Sequence, residues 1–239
     1  MKTISDPIHF LSAVAGWSCR SMLLALVFIT SVQAQTKEKA AKGFICIANT
    51  VAPGTGTVKV IVDGEDVYEP GYNFAAVTGG IGLPAGSHTV VFKREGVKEG
   101  STKVTVEKDQ TVTLVPFAEK VPATDQEKAH YAIRILRLKQ KEIPEGRSAS
   151  FISVSGLPEV RAEIRDLQGN WEKLSVKRLT ISEAKIHYPQ GYNPIRVNGK
   201  DMEPIPIIDA GNYVVILYDD VDGNLQCLNF RDFKYLSAD

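Results

Sequence analysis

Apolar and polar residues alternate along much of this chain with the period of two that is typical of β-strands. In the clearest case, residues 102–107, Val104 and Val106 fall on one face and Lys103, Thr105 and Glu107 on the other. Similar short segments are separated by Gly, Pro and Asp turns, and the predicted strands are 44–48, 57–62, 87–92, 102–107, 111–115, 161–165, 172–176, 213–218 and 225–230. The pattern predicts an all-β protein of the sandwich class.

One stretch allows two interpretations. Residues 124–127 have the spacing of a helix capping box, and a helical stripe of Ala129, Ala132, Ile133 and Leu136 could follow it. The same stretch also shows strand alternation of Tyr131, Ile133 and Ile135. We predict the strand, because the internal repeat described next places the opening strand of a second domain here.

Two parts of the chain resemble each other. The segment LPAGSHTVVF at 83–92 matches DAGNYVVILY at 209–218, and Gly-Tyr-Asn precedes each copy, at 71–73 and 191–193. We therefore predict two tandem antiparallel β-sandwich domains, immunoglobulin-like or prealbumin-like, that are related by internal duplication. The predicted domains are 43–117 and 130–236, with a linker at 118–129 that contains Pro122 and many charged residues.

The N-terminal segment has the features of a secretory leader. Lys2 and Arg20 supply positive charge, the apolar run 22–29 is shorter than the roughly 20 residues that span a bilayer, and small residues precede Gln35. We predict a signal peptide at 1–34 and a charged spacer at 35–42, and an uncleaved anchor is the alternative. The mature chain is expected to be secreted or periplasmic, without a transmembrane span.

Composition narrows the function. Hydrophobic residues make up 44% of the chain, which is enough for a core, and 28 basic residues balance 28 acidic ones. Because nucleic-acid binding depends on neutralising phosphates, a balanced chain without a basic stripe predicts no nucleic-acid partner.

Two cysteines remain after the leader, Cys46 and Cys227. An oxidising compartment would permit a disulfide between them, whereas two separately buried thiols are the alternative.

No catalytic motif is present in the sequence, and the histidines after the leader lack zinc-ligand spacing. We therefore predict that the chain is not an enzyme and needs no cofactor. His88 opens a strand and is expected to face solvent or to pack beside the preceding turn.

The cluster of Asp220, Asp222 and Asn224 offers oxygen ligands of the kind that calcium prefers. It departs from an EF-hand loop, because an EF-hand loop that started at Asp220 would need Gly at the position of Leu225 and Glu at that of Arg231. An acidic hairpin loop built on Asp222-Gly223 is the alternative that we favour.

Loop tyrosines are the candidate binding residues. Tyr68, Tyr72 and Phe74 lie in a loop of the first predicted domain, and Tyr188 and Tyr192 lie in the matching region of the second. Exposed rings at these loops could stack on sugars or dock a peptide. Alternatively, the rings could plug the ends of the two sandwiches.

The segments VIVDGEDVY at 60–68, LPAGSHTVVFKREG at 83–96 and TKVTVEKDQTVTLV at 102–115 resemble the PEGA-type β-sandwich repeats of bacterial envelope proteins. They are also similar to a related uncharacterised family of tandem secreted domains. The resemblance covers mainly residues 58–115, and it implies a non-enzymatic structural or protein-interaction module of the bacterial cell envelope. Its partner would be an envelope protein or a surface glycan, and the module could associate with the outer-membrane surface.

Overall fold

The computed structural model describes residues 41–236 and shows an all-β, sandwich-like fold, with no helix in that part of the chain. This confirms the predicted fold class. The predicted signal peptide at 1–34 and residues 35–40 of the predicted spacer lie outside the described residues.

The first half is an eight-stranded sheet that curls around one core. Across the sheet the order is β3-β2-β5-β6-β8-β7-β1-β4, with β1 parallel to β7 and β6 parallel to β8. Val60, Val90 and Phe92 are completely buried in this core. The strands are β1 (Lys42–Ile47), β2 (Thr55–Val62), β3 (Glu65–Asp66), β4 (Ile81–Pro84), β5 (Gly86–Glu95), β6 (Val97–Val106), β7 (Thr111–Val121) and β8 (His130–Lys139).

The stretch that allowed two interpretations forms a strand, β8, as the alternation predicted. This strand belongs to the first sheet and does not open a second domain. It pairs with β7 over its whole length, from Val121↔His130 to Val112↔Lys139, and Ile133 enters the first core. The first sheet therefore continues past the predicted domain end at 117, and only residues 122–129 connect β7 to β8. The predicted capping box forms a single turn, in which the Thr124 hydroxyl accepts a hydrogen bond from the Glu127 amide at 3.1 Å.

The second half contains three smaller sheets. Two of them face each other across a second core, with the orders β11-β10-β14-β15 and β12-β9-β17-β18, and the third is the pair β13-β16. The strands are β9 (Arg147–Ser153), β10 (Glu159–Arg165), β11 (Trp171–Lys177), β12 (Ile181–Lys185), β13 (Gly191–Asn193), β14 (Ile195–Val197), β15 (Lys200–Asp201), β16 (Ile205–Ile207), β17 (Gly211–Asp219) and β18 (Leu225–Arg231).

The repeated sequence segments occupy strands with different neighbours. LPAGSHTVVF ends in β5, which is antiparallel to β2 and β6, whereas DAGNYVVILY forms β17, which is parallel to β9. The strand whose pairing resembles that of β17 is β7, because β7 is parallel to β1 and antiparallel to β8. The two matching segments therefore occupy different places in their sheets, and the internal duplication remains a prediction.

The two halves share a third hydrophobic cluster, which packs sheet face against sheet face. Strand β7 turns Val112 and Leu114 to the first core and Val115 and Phe117 to this shared cluster. Both faces of residues 111–117 and 212–218 are buried, which explains why β7 and β17 contain nearly continuous apolar runs. The buried members of the shared cluster are Ala48, Val115, Phe117, Leu138, Ile152, Val154, Val214, Ile216 and Tyr218.

The chain after β18 returns to the first half and is fastened there. The Tyr235 amide donates to the Thr111 hydroxyl at 3.2 Å, and the Tyr235 ring packs against Gly80 and lies 5.8 Å from the Phe44 ring. Residues 232–236 thus form a second connection between the halves in addition to the shared cluster.

Candidate functional site between the two halves

The predicted binding tyrosines have two different environments. Tyr72 and Tyr188 are half-buried against the first and second cores, as plugs would be. Tyr68 and Tyr192 are exposed, Tyr192 to 69% of its surface. The rings of Tyr68 and Tyr72 are in contact, with centroids 5.5 Å apart and planes tilted by 42°, and among the described residues no ring contact joins them to Tyr188 or Tyr192.

The loop that follows Tyr72 is held against the second half of the molecule. The side-chain amide of Asn49, which is fully buried, donates to the carbonyl of Tyr72 at 3.2 Å and to that of Asn73 at 2.9 Å. This places the Phe74 ring edge-on to Tyr218 of β17, at a centroid distance of 5.4 Å. Phe74, which the sequence grouped with the binding rings, therefore helps to join the halves.

A groove of about 570 Å³ runs between the halves at this contact. One wall consists of the ends of β7 and β8, and the other of the β9–β10 loop and the β17–β18 hairpin loop. A second groove, of about 670 Å³, adjoins it and shares Phe117 and Glu119. We call the two together the interdomain groove.

A charged network lies at the junction of the two grooves. The Glu119 carboxylate pairs with Arg134 and with Arg178, each at 3.0 Å, and Arg178 also donates to the Ser155 carbonyl at 2.8 Å. Burial alone would raise the pKa of Glu119, but the two guanidinium groups outweigh it and lower that pKa below its ordinary value. Glu119 is therefore ionised, and Arg178 is fixed over the Phe117 ring at 5.7 Å.

Large apolar side chains are exposed around the interdomain groove. Tyr131 and Val221 line the first groove and Leu179 lines the second, with exposures of 39%, 67% and 42%. Leu179 also has a φ of 60°, a conformation that costs a branched residue roughly 1–2 kcal/mol. Sequence analysis missed this site, because its residues come from strand ends and turns that are far apart in sequence, and only tertiary packing brings them together.

The calcium candidate is a hairpin loop. The Asp220 carboxylate accepts hydrogen bonds from the backbone amides of Asp222 and Asn224 and from the side chains of Asn224 and Gln226. These bonds lower the pKa of Asp220, and the bond from the Asn224 backbone amide has the largest effect. The loop at 166–170 has the same Asp-x-x-Gly-Asn pattern and the same bonds from Asn170 to Asp166, although Gln168 replaces the second acid. Two such loops with one geometry favour the hairpin interpretation.

Within residues 41–236, no group of three or more His, Cys, Asp or Glu side chains is placed to hold a metal ion. The same residues contain no helix that is long and apolar enough to cross a membrane.

The two cysteines are free, so the disulfide between Cys46 and Cys227 is not formed. Cys46 is buried on β1 and its thiol donates to the Thr78 carbonyl at 3.0 Å, whereas the Cys227 thiol faces the Glu203 carbonyl from β18. Burial raises the pKa of both thiols. The strands therefore hold the two thiols in separate environments, and Cys46 is buried as the alternative predicted, whereas Cys227 is half-buried.

His88 is buried beside the turn at Pro84 and is an ion-pair partner. Its Nδ1 lies 2.6 Å from an Asp63 carboxylate oxygen and its Nε2 lies 2.7 Å from the Pro84 carbonyl, so both ring nitrogens face acceptors. Burial would lower the pKa of His88, but Asp63 and the Pro84 carbonyl together raise it above its ordinary value. The backbone amide of Thr89 and His88 itself lower the pKa of Asp63.

This pair predicts a pH-dependent contribution to stability. Because the folded pKa of His88 is raised, the contribution is complete below the unfolded value of about 6.5 and is lost as the pH rises through the folded value. We expect His88→Gln to lower the melting temperature more at about pH 5.5 than at about pH 9. Thermal melts of both proteins at the two pH values test this, and an equal loss at both would contradict it.

The sequence matches no known protein-family model and no curated protein. The resemblance to PEGA-type repeats therefore remains a prediction.

Proposed function

We propose that this chain is an exported, non-catalytic interaction module of the bacterial cell envelope, and that it holds a segment of a protein partner in the interdomain groove. The observation that carries the proposal is the cluster of exposed apolar side chains around that groove, formed by Tyr131, Leu179 and Val221. Exposed apolar clusters around a concave surface are typical of protein-interaction sites.

The charges of the groove suggest the chemistry of the segment. Arg178 neutralises Glu119, which leaves Asp219 and Asp220 facing Lys120 across the first groove. The exposed Asp222 of the same hairpin loop adds a further carboxylate. A segment with a large apolar side chain next to Lys or Arg would complement this surface.

A rigid groove also favours binding. The shared cluster and residues 232–236 both connect the halves, so the groove walls keep their spacing without a partner. A preformed site saves the free energy that ordering would cost on binding.

Export is tested by fractionating the host cells and measuring the intact mass of the purified chain. A chain that begins at Gln35 in a periplasmic or medium fraction supports the proposal. A full-length chain in the cytosol would contradict the envelope assignment.

A photo-crosslinking experiment tests the groove. We expect a crosslinking amino acid at Val221 to give one discrete adduct in host cells, and the same amino acid at Glu65, which is exposed on the edge strand β3 and does not line the interdomain groove, to give none. Adding Leu179→Gly should remove the Val221 adduct while stability stays within about 1 kcal/mol of wild type, because glycine relieves the positive φ. Asp222→Asn should weaken the adduct because it removes a carboxylate. It should leave the loop intact, because the loop at 166–170 keeps the same hydrogen bonds with the uncharged Gln168 at the corresponding position.

Two results would contradict the groove assignment: an adduct that survives Leu179→Gly, or adducts of equal yield at Glu65. A loss of stability in Leu179→Gly is checked separately by thermal melting, and Tyr131→Ser, combined with the crosslinker at Val221, then provides a second variant away from a positive φ.

The second candidate is sugar or peptide binding by loop tyrosines. It is favoured by Tyr192, which lies on β13 with 69% of its surface exposed, and by Ile208, which directly follows the paired strand β16 and is 70% exposed. A discrete adduct from a crosslinker at Tyr192, together with none at Val221, would select this candidate.

A further inference from the structure

The outer face of the sheet β11-β10-β14-β15 carries a tryptophan between two arginines. Trp171 pairs with Arg165 across β11 and β10, and the guanidinium carbons of Arg196 and Arg165 lie 4.1 Å and 5.9 Å from the centre of the indole ring. Both distances are within the range of cation–π attraction. Arg165, Trp171 and Arg196 do not line the interdomain groove.

The two arginines differ in how far their donors are satisfied. Arg196 is paired with Asp201 at 2.6 Å. Arg165 is exposed, and the only hydrogen bond of its side chain within the described residues is a 3.4 Å contact from Nε to the Gly169 carbonyl. Most of the five N–H donors of the Arg165 guanidinium therefore face solvent beside the indole.

The register of the sheet leaves an excess of positive charge at this place. Glu159 lies opposite Lys177 and Glu163 lies opposite Lys173, so these charges compensate each other across β10 and β11. Arg161 and Arg165 lie instead opposite Ser175 and Trp171, which carry no charge. Neither arginine pairs with a carboxylate among the residues that the structure describes.

We infer that Arg165 and Trp171 form a binding site for an acidic sugar, that is, a sugar ring that carries a carboxylate or a phosphate. The planar fork of a guanidinium matches either anion with two parallel N–H donors. The half-exposed indole offers an apolar surface next to that anion for the carbon face of a sugar ring. Glu163, between Arg161 and Arg165 on the same face, opposes the anion and sets a limit on affinity.

The site can be observed directly, because the chain has only two tryptophans, Trp17 and Trp171. In the full chain with Trp17→Phe, all tryptophan fluorescence comes from the proposed site. The probes are trigalacturonate, which carries carboxylates, its neutral methyl ester, and mannose 6-phosphate, which carries a phosphate.

We expect at least one acidic probe to change the fluorescence of Trp171 and the methyl ester to leave it unchanged, and the response of each acidic probe shows whether the site takes a carboxylate or a phosphate. Arg165→Gln should weaken binding about tenfold, since a charge-assisted hydrogen bond contributes at least that factor. Glu163→Gln should strengthen binding, and added salt should weaken it, because the charges are exposed. Lys93→Gln on β5, which removes one exposed cation from another sheet, is the matched control and should change nothing.

The inference is overturned if neither acidic probe alters the fluorescence, if the methyl ester acts equally, or if Arg165→Gln binds as tightly as the parent. If Arg165→Gln instead unfolds the sheet, thermal melting reveals it, and Arg165→Lys, which keeps the charge and loses the fork, then carries the test. Leu179→Gly should not affect this titration, so the outcome is independent of the interdomain groove.

Discussion

Ile216→Ala is expected to lower the free energy of unfolding of both halves together, by about 2–5 kcal/mol. Ile216 is completely buried on β17 and faces the cluster that the two halves share. Removing its side chain leaves a cavity between two sheet faces, so each half loses part of the surface that covers it. Two tandem domains that folded independently of each other would respond differently.

Hydrogen exchange followed by mass spectrometry separates these cases. Amides of β5 report on the first half and amides of β10 report on the second, and both sets should exchange faster in Ile216→Ala. Ile181→Ala, at a position that is 55% exposed, is the control and should change neither set. Faster exchange confined to β10 would show that the halves fold independently.

Gly100→Ala is expected to destabilise the first half by about 3 kcal/mol or more. A Cβ at this position would overlap the backbone carbonyl of Ile133 on β8, and its next neighbours would be the Ile133 carbonyl carbon at 2.9 Å and Cβ at 3.0 Å. A backbone atom cannot rotate aside, so the substitution must push β6 away from β8. These two strands share the single paired position Lys98↔Ala132, and that junction joins the two parts of the curled sheet.

Gly79→Ala is the matched control. Gly79 has no heavy atom within 4 Å of an added Cβ and no positive φ, so alanine there should be neutral or slightly stabilising. Urea unfolding of both variants measures the difference. Equal stability of Gly100→Ala and the parent would mean that β6 and β8 are not held together at this point.

Local signals were enough to predict most strands but not their partners. The alternation around Val104 and the Thr-Val-Val run of β5 are properties of adjacent residues, so both strands could be recognised before the fold was known. Strand β8 shows the limit, because its alternation was recognised and its sheet was not. Nothing local to Tyr131 or Ile135 distinguishes pairing with β7 from the opening of a second domain.

The candidate site divides in the same way. Sequence analysis selected Tyr68, Tyr72, Tyr188 and Tyr192 as aromatic loop residues, and the structure exposes two of them and buries much of the other two. It did not select Glu119, Arg178 or Leu179, because each is ordinary in its own segment. The pairing of Glu119 with Arg178 spans 59 residues of sequence.

The sequence by itself determined the all-β class and most strand positions, because side-chain alternation and turn chemistry act over a few neighbouring residues. Only the tertiary structure decided that the two halves share a hydrophobic cluster, that β8 completes the first sheet, and that an open groove and an arginine–tryptophan face result. These features depend on which apolar faces cover each other, and that choice is made by burial summed over residues far apart in the chain.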